Sequence, residues 1–309
     1  MDLYTIGEMV IDFIPGSEPA SYVRNAGGAP ANVAFAVKKN GLDAGMCCSL
    51  GNDDFGRFLA ATLEEYGVRN LHPELTDDAI TTMAFVTLAP DGDRSFTFAR
   101  KPGADMLLKE EDVKESDIDE AVIIHAGSCS LSASPEAEAT IKAMRLGKEK
   151  GKIVSFDVNY RDIMWKGDQA ACAAKVLENL QYVDILKISE EEVEMMGGEE
   201  HLFDLMAENG LTLIVETLGG AGAKCFFGGK TFIVPGRKAV CVDATGAGDA
   251  FWGGFLSNLR IQGIESVSQM TDEVIQKAME YGNVSGWICV QSKGAICSLP
   301  TREEIEKHL

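Results

Sequence analysis

The chain has 309 residues, of which 46% are hydrophobic and 25% are charged, and these values are typical of a folded globular protein rather than a disordered one. Its net charge of −20 predicts repulsion from nucleic-acid phosphates and anionic membranes. The N-terminus lacks the basic and apolar regions of a signal peptide. Eight cysteines without a C-x-x-C spacing favour free thiols in a reducing compartment. Together these features predict a cytoplasmic protein, and residues 1–309 are enough for one large domain or for one domain with a small appendage.

Short apolar strands alternate with amphipathic helices along most of the chain. The pattern predicts strands at 3–7, 44–50, 121–126, 152–157, 183–188 and 212–217. It predicts helices at 31–39, 55–66, 134–150, 168–180, 190–196 and 201–209. This alternation indicates an α/β fold, in which helices cover both faces of a parallel sheet.

Two segments, at about 10–25 and 80–100, interrupt this alternation with β-rich sequence. The second contains a hairpin signal at Pro90-Asp91-Gly92-Asp93. We expect the two segments to form a small β-sheet that projects from the main domain. A sheet beside a ligand site can act as a lid, and the alternative is an edge sheet without a role in binding.

The stretch from Asp243 to Asp249 reads Asp-Ala-Thr-Gly-Ala-Gly-Asp and precedes an apolar helical segment. Gly246, Ala247 and Gly248 are small, so their N–H groups can approach a ligand closely. A glycine-rich turn that opens a helix favours an anion, because unpaired N–H groups and the helix dipole face it. A carboxylate beside that site can accept the proton of an attacking hydroxyl. A G-x-G-D alone more often marks an ordinary turn, so the interpretation depends on the full string.

A second glycine-rich stretch runs from Asn25 to Ala34 and contains Gly27-Gly28 followed by Asn32. The paired glycines allow close approach of the backbone, and the Asn32 amide offers both donors and an acceptor. Neutral, directional groups of this kind suit a polyol such as a sugar. Considered alone, the stretch is equally consistent with a tight turn.

Together, the two stretches resemble the signature motifs of the ribokinase-like PfkB family of carbohydrate kinases, and the resemblance covers essentially the whole chain. The first signature corresponds to Ala26 to about Gly56, and the second to Asp243 to Gly254. Gly27 to Ala34 and Phe156 to Arg161 are most similar to bacterial and plant fructokinases, which usually have Pro where Val158 stands. The resemblance implies a ribokinase-like three-layer α/β/α sandwich with a mostly parallel central sheet and a small β-sheet lid. It also implies ATP as the donor and Mg²⁺ as a cofactor.

The resemblance assigns expected roles to individual residues. The catalytic base is Asp249, and the anion hole consists of Gly246, Ala247 and Gly248. The sugar-binding positions are Asp12, Gly27, Gly28, Asn32 and Arg161. The nucleotide-binding positions are Lys187, Ser189, Thr217, Gly219, Gly220, Gly222 and Asn283. A monovalent cation such as K⁺ would be held by Asp243, Thr245 and carbonyls around Val290 to Ala295.

The family's Asn-x-x-Glu motif, which helps to place Mg²⁺, corresponds to Ser189-Glu190-Glu191-Glu192, with Ser189 in place of Asn. Glu192 is therefore expected to act on Mg²⁺ indirectly. The same acids also suit the first turn of a helix, where the dipole favours negative charge. Both interpretations can hold.

These residues predict in-line transfer of the ATP γ-phosphoryl group to a primary hydroxyl of a sugar, preferably fructose to give fructose 6-phosphate. The alternatives within the family are 2-keto-3-deoxygluconate, a nucleoside or aminoimidazole riboside. An acid substrate would require an extra Arg or Lys in the sugar pocket, where the first signature has Ala29 and Pro30. A non-catalytic, kinase-like binding protein is a further alternative, which the intact Asp249 disfavours. An exposed lid face favours pairing across a two-fold axis, and thus a homodimer.

Overall fold

The structure is a computed structural model that describes residues 1–18, 20–88 and 94–309, so the predicted turn at Pro90 to Asp93 lies outside the described residues. In chain order, the strands are β1 (Leu3–Ile6), β2 (Val10–Pro15), β3 (Tyr22–Gly27), β4 (Ala44–Cys47), β5 (Leu50–Gly51), β6 (Arg69–Asn70), β7 (Leu75–Thr76), β8 (Met83–Leu88), β9 (Arg94–Ala99), β10 (Ile123–Gly127), β11 (Ile153–Asp157), β12 (Ile185–Ser189), β13 (Leu213–Thr217), β14 (Gly222–Phe227) and β15 (Lys230–Pro235). The α-helices are α1 (Ala29–Lys39), α2 (Asp54–Tyr66), α3 (Glu115–Glu120), α4 (Glu136–Glu149), α5 (Gln169–Asn179), α6 (Glu190–Met195), α7 (Leu202–Asn209), α8 (Ala247–Ile261), α9 (Asp272–Cys289), α10 (Ala295–Ser298) and α11 (Arg302–Glu306).

The main sheet has the strand order β15-β14-β13-β12-β11-β10-β1-β4-β6 within the described residues. The strands from β13 to β6 in this order are parallel to their neighbours. A hairpin of β14 and β15 extends the sheet in antiparallel fashion. The expected mostly parallel sheet is therefore confirmed, and the hairpin over 222–235 is an addition that the predicted elements did not include.

Two layers of helices cover this sheet because successive side chains point to opposite faces. Leu3 and Ile123 belong to a buried cluster that includes residues of α1, α8 and α9. Their neighbours Tyr4 and Ile124 belong to a second cluster with residues of α4, α5 and α7. The described residues thus form the expected three-layer α/β/α sandwich.

A second sheet, here called the lid sheet, consists of β3, β2, β8 and β9 in that order. β2 pairs antiparallel with β3 and parallel with β8, while β8 pairs antiparallel with β9. The Phe13 ring stacks on Phe85 with centroids 4.9 Å apart and meets Phe55 of α2 edge-on at 5.6 Å. The prediction that these two segments form a separate small sheet is confirmed for the described residues.

The predicted strand at 44–50 is wrong in its second half. β4 ends at Cys47, and the chain then leaves the main sheet. Leu50 and Gly51 pair instead with Leu75 and Thr76 in a separate two-stranded sheet. Cys48 and Leu50 are buried in the core although they are not part of the main sheet. The apolar run is therefore longer than the strand, and the prediction extended the strand too far.

The middle of α8 is packed closely against neighbouring helices. α8 packs against α1 and α9, and a Cβ on Gly254 would stand only 2.8 Å from the Cβ of Ser285 in α9. Gly254 thus permits a close approach that a larger residue would prevent. No helix in the described part of the chain is both long enough and apolar enough to span a bilayer.

Candidate active site

The N-terminus of α8 carries the glycine-rich stretch. Gly246 caps the helix with φ 76° and ψ 3°, a left-handed conformation that favours glycine. A Cβ at this position would also lie 2.9 Å from the Cβ of Ala295. The first N–H groups of a helix have no acceptor within it, although the Ala247 N–H donates to the Ala244 carbonyl at 3.2 Å. Gly248, which is exposed, is therefore the better placed anion donor of the predicted set.

Asp249 follows in the first turn of α8 and is held by a residue from the other glycine motif. Asn32 of α1 donates from Nδ2 to Asp249 Oδ2 at 2.8 Å. The two residues are only 5% and 6% exposed. Asn32 Oδ1 is buried and has no hydrogen-bond partner within the described residues. Because buried acceptors are usually paired, this oxygen is suited to a hydroxyl of a bound ligand.

The lid sheet brings a second carboxylate to the same place. Burial, together with the negative charge of Asp249, raises the pKa of Asp12 to about 6, while Arg161 opposes the rise. Gly27 lies directly beneath Asp12, and a Cβ there would clash with the Asp12 carboxylate. Gly28 has φ 108° at the start of α1 and leaves no room for a Cβ beside the Glu8 carbonyl. The structure thus brings the predicted sugar-side residues together around Asp249.

A cavity of about 590 Å³ opens on the other side of Gly248, a volume within the usual range for small-molecule sites. It is lined by the predicted nucleotide residues Thr217, Gly219, Gly220, Gly222 and Asn283, and by Ala247 and Gly248. Asn283 donates from Nδ2 to the Val234 carbonyl at 3.0 Å, so part of its amide holds β15 in place. Because Ala247 and Gly248 line the cavity, it extends to the N-terminus of α8.

Sequence reasoning missed several residues of this cavity. Arg237, Lys238 and Cys241 lie on the loop after β15 and line the wall. Trp287 also lines it, and its Nε1 donates to the Lys238 carbonyl at 2.9 Å. A basic pair that follows a strand in a strongly acidic chain is the signal that would have identified Arg237 and Lys238.

Lys187 and Ser189 lie near the end of β12 and do not line the cavity. Lys187 Nζ contacts both Asp157 oxygens at 2.9 and 2.8 Å and would stand 3.4 Å from a Cβ on Gly248. Burial opposes its charge, but the carboxylates of Asp157, Glu192 and Asp249 together outweigh burial and raise the pKa of Lys187. Lys187 therefore places a positive charge at the anion end of the site, away from most of the predicted nucleotide loop.

Glu192 forms a capping box with Ser189 at the start of α6. Its Oε2 accepts the Ser189 N–H at 2.8 Å, and the Ser189 hydroxyl accepts the Glu192 N–H at 3.3 Å. Glu192 Oε1 also accepts the Tyr160 N–H at 2.6 Å. The expected capping role is thus present, and the carboxylate links α6 to the loop after β11.

The fit of a magnesium ion follows from this donor set. The described residues contain no group of three or more His, Cys, Asp or Glu side chains arranged to hold a metal. Mg²⁺ commonly keeps several waters and binds through one or two carboxylates together with substrate phosphates. Since both Glu192 oxygens already accept backbone N–H groups, Glu192 fits contact through water rather than direct ligation.

The predicted monovalent-cation residues come together beside the α8 N-terminus. Asp243 accepts the Thr245 N–H at 2.8 Å and the Gly294 N–H at 3.1 Å. The Val290 carbonyl accepts the N–H groups of Val242 and Asp243 at 2.8 and 3.2 Å. Because this carbonyl is already engaged, and the Lys293 carbonyl accepts the Ser298 hydroxyl at 3.1 Å, the other carbonyls at 291–295 are better suited to a cation.

The family of the chain follows from comparison with known proteins. The sequence pattern of the pfkB family carbohydrate kinases matches residues 2–302. The chain belongs to this family. It is therefore a carbohydrate kinase, and the predicted ribokinase-like sandwich is confirmed by solved structures that share nearly its whole length.

Three proteins illustrate the similarity of this carbohydrate kinase to known ones. Fructokinase-1 of Oryza sativa subsp. japonica is 38% identical over 314 residues, which cover 98% of this chain and 96% of that protein. The crystal structure of fructokinase with bound ATP from Xylella fastidiosa has a TM-score of 0.91 and 30% identity, over 99% of this chain and 97% of that one. A fructokinase double mutant from Vibrio cholerae O395, in a fructose, ADP and potassium ion bound form, has a TM-score of 0.89 and 32% identity, over 99% and 98%.

In this carbohydrate kinase, the predicted site residues fall into two adjoining regions. Asp12, Gly27 and Asn32 surround Asp249 on the side of the lid sheet. The glycines of the loop after β13 line the cavity on the other side. The two regions meet at the first turn of α8, where a phosphate and a hydroxyl would have to meet for transfer.

Proposed function

We propose that this kinase transfers the γ-phosphoryl group of ATP to the primary hydroxyl of fructose and forms fructose 6-phosphate. The observation that carries the proposal is the position of Asp249. It follows Gly248, which lines the cavity, and it bonds to Asn32 of the opposite glycine motif. The similarity to fructokinases over nearly the whole chain supports fructose as the acceptor.

The cavity is the proposed ATP site. Its glycine-lined wall allows a planar base to approach the backbone, and Arg237 and Lys238, which also line it, offer positive charge. These cations matter because a chain with a net charge of −20 otherwise repels ATP. Magnesium, when bound with ATP, would neutralise charge on the phosphates, and Glu192 would contact it through water.

Asp249 is the proposed general base. It accepts the proton of the attacking hydroxyl as the new O–P bond forms and the bond to ADP breaks. Asn32 holds one carboxylate oxygen, so the orientation of the base is determined before substrate binds. The Gly248 N–H and the Lys187 ammonium stabilise the charge that spreads over the transferred group.

We also propose that the lid sheet closes over the sugar and excludes water, which would otherwise compete as the acceptor. Asp12, on β2, then accepts hydrogen bonds from sugar hydroxyls. The edge of the same sheet is the proposed homodimer contact, since Tyr22 and Val23 on the edge strand β3 are 48% and 55% exposed. The eight unpaired cysteines support a reducing cytoplasm.

Asp12 makes fructose binding dependent on pH. Its raised pKa of about 6 means that it becomes protonated below this pH and then accepts hydrogen bonds poorly. The KM for fructose is therefore expected to rise several-fold, about 3- to 10-fold, between pH 7.5 and 5.5. Steady-state kinetics should show a much smaller change in the KM for ATP, and Asp12→Asn should have a high fructose KM at both values.

The stability of Asp12→Asn provides a second test of the raised pKa of Asp12. A carboxyl group whose pKa is raised on folding costs stability as the pH rises from its ordinary value through the folded value. Asp12→Asn is therefore expected to increase stability at pH 7.5 by about 1 kcal/mol, and the gain should shrink toward pH 4. Thermal unfolding at several pH values measures this, and a loss of stability at pH 7.5 would show that the charge of Asp12 stabilises the fold.

ADP release tests the proposed acceptor directly. Fructose, ribose, 2-keto-3-deoxygluconate, aminoimidazole riboside and nucleosides should be compared, each with and without K⁺. Fructose is expected to have the highest kcat/KM, and K⁺ to increase it through the Asp243 and Thr245 loop. A different best acceptor would replace fructose in the proposal, and no ADP release with any acceptor would favour a non-catalytic binding protein.

A further inference from the structure

The chain passes between the lid sheet and the rest of the molecule at four places, and each carries a polar group. Glu8 precedes β2, and the Ala29 N–H follows β3. Thr82 precedes β8, and Arg100 follows β9. The crossings are far apart in the sequence but close together in the structure.

Direct hydrogen bonds connect the crossings in two pairs, and the second pair is also bonded to the main domain. Glu8 Oε1 accepts the Ala29 N–H at 3.2 Å. The Thr82 hydroxyl donates to Asp105, and Arg100 Nε donates to the other oxygen of Asp105 at 2.7 Å. Arg100 Nη2 also donates to Glu136 Oε2 at 3.1 Å, at the start of α4. We call Glu8, Thr82, Arg100, Asp105 and Glu136 the hinge cluster.

The hinge cluster is buried and contains more acid than base. Glu8, Asp105 and Glu136 are buried, as is most of the Arg100 side chain. Burial and the charge of Asp105 raise the pKa of Glu8, to about 7, and of Glu136, while Arg100 opposes both shifts. Arg100 thus pairs directly with Asp105 and Glu136, and its charge also acts on Glu8. Loss of one partner in such a cluster leaves buried charge uncompensated, so its geometry is strongly determined.

The cluster is adjacent to the sugar side of the site and separate from the nucleotide side. Glu8 holds the backbone at Ala29, next to Gly28, and its own carbonyl lies against Gly28. β2, which begins two residues after Glu8, carries Asp12. Among the described residues that line the nucleotide cavity, none belongs to the lid sheet or to the hinge cluster. A change in the cluster should therefore displace sugar contacts and leave ATP contacts in place.

We propose that the hinge cluster sets the position of the lid sheet and so holds Asp12, Gly27 and Gly28 in place against Asp249. Arg100, Asp105 and Glu136 are thus positioning residues for the sugar, although they do not touch it. The identity of the sugar rests on the proposed function, but the mechanical role of the cluster does not.

Kinetics of Arg100→Gln provide the first test. Since small displacements of substrate-positioning groups have large effects on rate, the KM for fructose is expected to rise about 10-fold or more, with the KM for ATP within about 2-fold of wild type. ADP release without sugar should increase relative to turnover, because a displaced lid admits water. Arg100→Lys keeps the cation and is expected to restore part of the fructose KM.

Asp184→Asn is the matched control. It breaks a different partly buried ion pair, between Asp184 and Lys148 at 2.6 Å, at a distance from the lid sheet. This control is expected to lower thermal stability without a selective change in the fructose KM. Equal changes of both KM values in Arg100→Gln, matching those of Asp184→Asn, would reduce the hinge cluster to a general stabilising role and overturn the proposal.

Amide hydrogen exchange without any substrate separates this inference from the proposed function. Arg100→Gln should accelerate exchange in β2, β3 and β8 relative to β11 and β12, whereas Asp184→Asn should not accelerate the lid sheet selectively. If the wild-type protein fails to phosphorylate fructose, the proposed acceptor is wrong, and the exchange data alone test the role of the hinge cluster. Unchanged exchange in the lid sheet of Arg100→Gln would overturn the proposal that the hinge cluster sets the position of this sheet.

Discussion

Asp249→Asn is expected to lower kcat by about 10²- to 10⁴-fold, the usual contribution of a general base. Asparagine has nearly the shape of aspartate but cannot accept the hydroxyl proton at neutral pH. Binding should persist, because the cavity and the Asn32 side chain remain. Steady-state kinetics would measure the loss, and calorimetric titration with ATP would show that the nucleotide still binds.

Two observations control for trivial causes of this loss. Thermal unfolding should show that Asp249→Asn remains folded, since its only expected structural change is the loss of a negative charge. Asn32→Ala leaves the base in place without its buried partner, so it should reduce kcat less than Asp249→Asn does. Turnover of a folded Asp249→Asn within about 3-fold of wild type would contradict the assignment of Asp249 as base.

The second large effect is expected for Lys187→Met, which removes the buried ammonium group beside Gly248. If this group stabilises the transferred phosphoryl group, kcat should fall about 10²- to 10³-fold, as for other preorganised donors. Stability should fall as well, because a buried ion pair that loses one partner costs about 3–5 kcal/mol. Kinetics and thermal unfolding measure the two effects separately.

A double variant separates catalysis from folding at this pair. Lys187→Met combined with Asp157→Asn removes both charges and should restore much of the lost stability, because no buried charge remains unpaired. Asp157→Asn alone keeps the ammonium and should retain far more activity than either variant that lacks it. If the double variant recovers activity together with stability, Lys187 has only a structural role.

The part of the site that could be predicted depends on residues that are close together in the sequence. Gly246, Gly248 and Asp249 lie within a single turn, and the need for left-handed backbone at Gly246 is visible in the string itself. Strands that are buried on both faces could also be predicted, because they appear in the sequence as short apolar runs. β11, for example, was expected at 152–157 and spans Ile153–Asp157.

Elements with weaker local signals were missed or misplaced. β15 is mostly exposed, so it lacks the apolar run that identified the central strands. Its turn at Gly228-Gly229, both with positive φ, was nevertheless a recognisable hairpin signal. The boundary between β4 and β5 was missed because burial continues through Cys48 while the pairing partner changes.

Contacts between distant segments have no local signal in the sequence. Lys187 and Gly248 are brought together by the order of the strands, and no local pattern indicates that the lysine faces the anion site. The same holds for Arg100 and Glu136, whose ion pair joins a lid strand to α4. A single sequence carries the chemistry of such residues but not their proximity.

The products that the wild-type protein forms from fructose and ATP in the presence of Mg²⁺ show whether the phosphoryl group is transferred to fructose and to which hydroxyl. Phosphorus and carbon NMR on one reaction would measure ADP, the phosphate ester and its position on the sugar. We expect ADP and fructose 6-phosphate in equal amounts, with little free phosphate. A phosphate ester at another hydroxyl would contradict the proposed orientation of the sugar at Asp249, and free phosphate without a sugar phosphate would contradict transfer to fructose altogether.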